Sequence, residues 1–192
     1  MSTQSIEEMY KLKCATPSDI NQLLPILKEF ASKCDHITEM GVRDPTSTYA
    51  FLAGNPKKLI CYDIVRHLNI DVVEVLAAVS STKFKFYHKD VLQVEIEPTD
   101  FLFIDTFHTS AQLEKELALH AHKVKKYIGF HDTATFWEKG EDAYEEVKDR
   151  GTADGTGLKY ALEAFLEVNK DVWEIEFITR HNNGLTIIKK LP

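Results

Sequence analysis

Five strand-and-helix units followed by a closing hairpin predict an α/β fold: a doubly wound sheet, mostly parallel, with an antiparallel pair at its C-terminal end. Three observations carry that expectation. Short β-type runs alternate with helix-periodic segments from residue 36 onward. The run 101–104 is nearly all apolar, as a strand covered on both faces should be. Asn182-Asn183-Gly184 separates the last two runs and is a hairpin turn signal.

Residues 1–16 carry little pattern and read as an arm or a short helix. Ser18, after Pro17, suits the N-cap of a helix with apolar positions Ile20, Leu23, Leu24, Leu27, Phe30 and Ala31, ending near Cys34. Pro25 lies inside that pattern and implies a kink or a late start. Strands are then expected over 36–42, 58–64, 84–88, 101–104 and 127–130, with helices over 46–53, 71–79 and from Thr109 onward. Residues 134–156 are polar, hold Gly140, Gly151 and Gly155, and read as a mobile lid with Trp137 as a lid residue. A helix over 158–168 and strands over 173–179 and 185–189 complete the chain.

The 192 residues hold 30 acids against 23 bases, a formal charge of −7. Counterion release on nucleic acid needs clustered Lys and Arg, so a nucleic-acid partner is not expected. No apolar run reaches the roughly 20 residues that cross a bilayer, and the N-terminal stretch has acids and no apolar segment, unlike a secretory signal. Cys14, Cys34 and Cys61 are odd in number, widely spaced and lack a CxxC pair. They argue for a reducing, cytoplasmic setting and against a disulfide frame. A membrane partner is not expected, a small-molecule partner is, and an isologous homodimer is the default assembly.

Ligands of open α/β sheets bind beyond the carboxyl ends of the strands. Those ends carry Glu39, Gly41 and Arg43; Asp63; Asp90; Asp105 and His108; and His131 with Asp132. At the first of them Glu39-Met40-Gly41-Val42-Arg43 precedes Thr46-Ser47-Thr48, where glycine permits close backbone approach and the next helix offers free N–H groups. Neither GxGxxG nor GxxxxGK[ST] is present, so a dinucleotide or nucleoside triphosphate fingerprint is absent.

Glu-x-Gly-x-x followed by Ser-Thr resembles the first cofactor motif of class I S-adenosylmethionine-dependent methyltransferases, most of all small O-methyltransferases whose second glycine is displaced. The likeness spans roughly residues 36–190. It implies a Rossmann-like methyltransferase sheet, an N-terminal arm and helix (1–34) and a cofactor-binding core (35–192) within one domain of residues 1–192. It also implies cofactor contacts from Glu39, Gly41, Arg43, Ser47 and Asp105, with Asp63 taking the ribose hydroxyls and Asp90-Val91 lying near the adenine.

Two carboxylates and a neutral imidazole can hold a divalent cation, and Asp105, His131 and Asp132 supply that set. Metal-dependent O-methyltransferases of the catechol and macrolide-sugar types are similar here. They place an acid at the position of Asp105, acids or an amide at 131–132, and a base three residues after the first ligand, which His108 matches. The resemblance thus implies S-adenosylmethionine, a divalent cation (Mg2+ or Mn2+), and His108 as general base for methylation of a hydroxyl on a sugar or other small polar acceptor. The imidazole of His131 departs from the pattern, and admits manganese, iron or zinc, or no metal. Two alternatives stay open: a catalytically inactive binding module on the same fold, and a nicotinamide dehydrogenase, against which the missing fingerprint argues.

Overall fold

The computed structural model describes residues 5–192. Seven strands, β1 (His36–Met40), β2 (Lys58–Asp63), β3 (Lys83–His88), β4 (Thr99–Ile104), β5 (Val124–His131), β6 (Trp173–Thr179) and β7 (Leu185–Lys190), form one sheet in the order β3-β2-β1-β4-β5-β7-β6. The first five run parallel, and β7 pairs antiparallel with both β5 and β6. Strand order reverses between β1 and β4, so the switch point lies there.

Side-chain parity decides what each strand offers to which face. Ile37, Leu59, Cys61, Phe101, Phe103 and Ile187 point to the layer built by α1 (Ile6–Ala15), α2 (Leu24–Ala31), α3 (Thr46–Ala53) and α4 (Ile70–Ala78). Met40, Ile60, Tyr62, Leu102, Ile104, Ile128 and Phe130 point to α5 (Ser110–His120) and α6 (Leu158–Val168). Each fully buried aromatic or aliphatic side chain contributes about 1.5–3 kcal/mol. The first layer holds an aromatic cluster: Phe51 of α3 meets Phe101 and Phe103 edge-on at 5.8 and 5.2 Å.

Most expected elements are found, with boundaries shifted by a few residues. The N-terminal stretch is a full helix, α1, because Ser5 accepts the Glu8 N–H while Glu8 accepts the Ser5 N–H, a reciprocal cap. The helix expected after Ser18 begins late. A 3-10 turn, Asn21–Leu23, comes first and α2 starts at Leu24, with Pro25 in its opening turn where no N–H partner is needed. β1 stops at Met40, not 42, because Gly41 turns the backbone to φ +80°. No helix is long and apolar enough to cross a membrane among the described residues.

Candidate active site

Beyond the carboxyl ends of β1, β2 and β4 the sheet opens onto a cleft of about 440 Å3. Gly41 forms its base. A Cβ there would lie 1.9 Å from the Asp105 carbonyl oxygen, so the β1 loop packs directly against the end of β4 only because residue 41 has no side chain. Asp63, on the wall, holds that loop: one carboxylate oxygen accepts the N–H groups of Val42 and Arg43 at 2.7 and 2.8 Å, the other that of Val65 at 2.8 Å.

Gly41, Arg43, Ser47, Asp63, Val91, Asp105, His108 and Asp132 all line the cleft. Glu39 does not. Its odd position in β1 aims it at α3, where it is fully buried and accepts hydrogen bonds from Ser47 (2.5 Å), Thr48 (2.7 Å) and the Cys61 thiol (3.0 Å). It therefore braces the loop from behind. Asp90 is also set back, capping a 3-10 turn (Val91–Gln93) through the Leu92 N–H and pairing with Arg150 at 3.2 Å.

Burial pushes the Glu39 carboxyl up to about 7, with the three hydrogen bonds pulling against it. An acid whose folded value is raised binds its proton more tightly in the folded chain, so stability falls as pH rises from about 4.5 to about 7 and is level above. Glu39→Gln is expected to remove roughly 3 kcal/mol of that decline. Urea melts of both proteins at pH 5 and pH 8 measure it, and equal declines would contradict it. Glu116, buried beneath the cleft and raised to about 7 by the same cause, retains its own share of the slope in the variant.

At the other end of the cleft four side chains meet. His108 Nε2 lies 3.2 Å from Asp105 Oδ1 and 3.1 Å from Asp132 Oδ2, while His131 Nδ1 lies 3.1 and 3.3 Å from the same two oxygens. His131 is buried below the cleft floor. Its Nε2 faces the carbonyl oxygens of Asp19 and Asn182 at 3.2 and 3.3 Å, which can only accept, so Nε2 carries hydrogen. Burial alone would lower both imidazoles. Hydrogen bonds that His108 donates to Asp105 and Glu141 instead carry it up to about 9, and the charge of Asp105 carries His131 up to about 11. Asp105 in turn is held well below the usual carboxylate range, since the two imidazoles outweigh its burial.

The setting of His108 differs from that expected of a general base. Both ring nitrogens are engaged, Nδ1 by Glu141 Oε2 at 2.9 Å and Nε2 by the two aspartates, and Phe136 stacks on the ring at 4.9 Å. The residues do fit a divalent cation. Asp105, His131 and Asp132 each offer one donor atom, all within 4.8 Å of one another, and the buried Asp132 Oδ1 has no hydrogen-bond partner.

No protein-family model matches this chain, and no curated protein matches its sequence. Solved structures do. A Staphylococcus aureus protein provisionally described as a caffeoyl-CoA O-methyltransferase superposes with TM-score 0.66 at 15% identity, over 98% of this chain and 93% of its own. The N-methyltransferase NodS of Bradyrhizobium japonicum, complexed with S-adenosyl-L-homocysteine, gives 0.60 at 11% over 98% and 100%. An O-methyltransferase of Bacillus cereus, complexed with the same product, gives 0.57 at 17% over 97% and 90%. The fold is that of class I S-adenosylmethionine-dependent methyltransferases.

On this methyltransferase fold, part of the cleft comes from residues the sequence did not single out. Asp19 reaches it from the N-terminal segment and pairs with Arg43 at 2.6 Å. Glu141, Tyr144 and Arg150 reach it from the segment read only as a lid. Within that segment Trp137 is not the residue that faces the cleft; it packs into the α5–α6 core, and Tyr144, edge-on to Phe107 at 5.5 Å, takes the place expected of it. Only the glycine and acid content of 134–156 hinted at this.

Proposed function

We propose that the chain transfers a methyl group from S-adenosylmethionine to a hydroxyl oxygen of a small polar acceptor. One observation carries the reading: a single cleft at the switch point places the Gly41 loop and Asp63 at one end and the Asp105–His108–Asp132 cluster at the other. The open glycine cradle and a carboxylate suit a nucleoside with ribose hydroxyls, and the clustered donors suit an oxygen acceptor. S-adenosylmethionine supplies an electrophilic methyl group, and a divalent cation on Asp105, His131 and Asp132 would lower the pKa of the acceptor hydroxyl.

The remaining work belongs to the chain's own residues. Alignment of donor and acceptor in one cleft supplies the proximity term. With both nitrogens of His108 engaged, the acceptor proton passes to Glu141 Oε1, which has no partner among the described residues, while its Oε2 is held by His108. Tyr144 and Arg150, the latter fastened to Asp90, close the segment over the cleft and exclude water.

Calorimetry with S-adenosylmethionine and S-adenosylhomocysteine is expected to show one site per chain, weakened at least tenfold in Asp63→Ala, since a charge-assisted hydrogen bond is worth about 1.5–3 kcal/mol. Absence of heat with either compound would end this reading. Binding without turnover on any hydroxyl acceptor would favour the inactive module.

A further inference from the structure

We propose that His108 joins Asp105, His131 and Asp132 as a fourth ligand, giving a two-imidazole, two-carboxylate site that selects a transition-metal dication over magnesium. The inference builds on the metal reading above but not on methyl transfer.

Each imidazole has its outer nitrogen committed as a donor: His131 Nε2 to the two carbonyl oxygens, His108 Nδ1 to Glu141. Both inner nitrogens then converge on the same pair of oxygens, Asp105 Oδ1 and Asp132 Oδ2. Two inner N–H groups could serve at most two of these four contacts well. All four, at 3.1 to 3.3 Å, are longer than the ~2.7–2.9 Å of charge-assisted hydrogen bonds. They fall in the range of adjacent ligands in a coordination shell, where donors about 2.0–2.2 Å from a shared ion stand about 3.0–3.4 Å apart. Asp105, His131 and Asp132 hold donors all within 4.8 Å of one another, and His108, outside that set, reaches it through both carboxylate oxygens.

Asp132 supplies an independent sign. It is 5% exposed, sits at φ +58°, and its Oδ1 has no partner while Oδ2 faces both imidazoles, so half of a buried carboxylate held in strained backbone is left unsatisfied. The outer contacts have the character of a supporting shell. Glu141 and the carbonyls of Asp19 and Asn182 fix the tautomer and tilt of the rings, and Phe136 stacks on His108. Imidazole donors suit zinc, cobalt, iron and manganese, whereas magnesium demands oxygen.

The test is a cobalt titration of chelator-stripped protein, read by calorimetry and by visible absorption. One cobalt per chain is expected, displaced by equimolar zinc and retained in a thousandfold excess of magnesium. His108→Ala should weaken binding at least tenfold and change the absorption band. Glu141→Gln, on the outer segment and without effect on the core, should weaken it about tenfold by loosening His108. No stoichiometric cobalt, displacement by comparable magnesium, or an unchanged band and affinity in both variants would overturn the proposal. S-adenosylhomocysteine titrated into the same samples separates the two readings: product binding without metal sinks only this one, and metal binding without product sinks only methyl transfer.

Discussion

Gly41→Ala is expected to destabilise the chain by about 3–5 kcal/mol and to weaken S-adenosylhomocysteine binding by two orders of magnitude or more. Two costs coincide. The backbone sits at φ +80°, where a Cβ is disfavoured, and the new methyl would lie 1.9 Å from the Asp105 carbonyl oxygen, which is backbone and cannot swing away. The loop must retreat, and Val42 and Arg43 then lose their grip on Asp63. Gly151→Ala is the control. Its φ is +63° but nothing lies within 4 Å of the added carbon, so it costs only about 1 kcal/mol of backbone strain. Urea melts and calorimetry compare the pair; similar losses in the two would mean that close approach at residue 41 is not what shapes the cleft.

The second large effect is expected at His131. His131→Leu removes one of the two imidazoles that pair with Asp105 and Asp132 and leaves His108 alone to offset two buried carboxylates, at a cost of about 3–5 kcal/mol. The loss is one of uncompensated charge and not of packing. Asp132→Asn added to His131→Leu should therefore recover a good part of it, since asparagine tolerates the positive φ at that residue. Chemical denaturation of the wild type, the two single variants and the double variant in the presence of chelator gives the coupling energy. A strictly additive cycle would show that the imidazole contributes volume alone.

The sheet was legible because its strands are short apolar runs at regular spacing, and because parity and turn residues are local properties. Phe101 to Ile104 and the Asn182-Asn183-Gly184 turn both declared themselves without reference to anything distant. The strand-end residues were legible for the same reason: topology alone carries Gly41, Asp63, Asp105 and Asp132 to one cleft. Parity also explains the misplacement of Glu39. It shares its face with Ile37, and the hydroxyls of Ser47 and Thr48 were the available sign that it points into α3. Asp19 and Glu141 were not legible, because packing of the N-terminal segment and of the lid brings them to the site from stretches without periodicity. The helix α1 reads from the sequence only as an arm or a short helix, although Ser5 and Glu8 stand at capping-box spacing. With Tyr10 its only buried residue, it lacks the apolar stripe on which helix recognition rests.

Asn182 ties the closing hairpin to the N-terminal segment and to the cluster. Its side chain takes the Gln22 N–H and gives a hydrogen bond to the Ser18 carbonyl, both at 2.7 Å, while its own carbonyl receives the His131 imidazole. Without this turn and the strand that follows it, β5 would be a bare edge and His131 would lack one of its two anchors. Folding of the closing hairpin and assembly of the cluster are accordingly coupled, and a substitution that loosens residue 182 reaches His131.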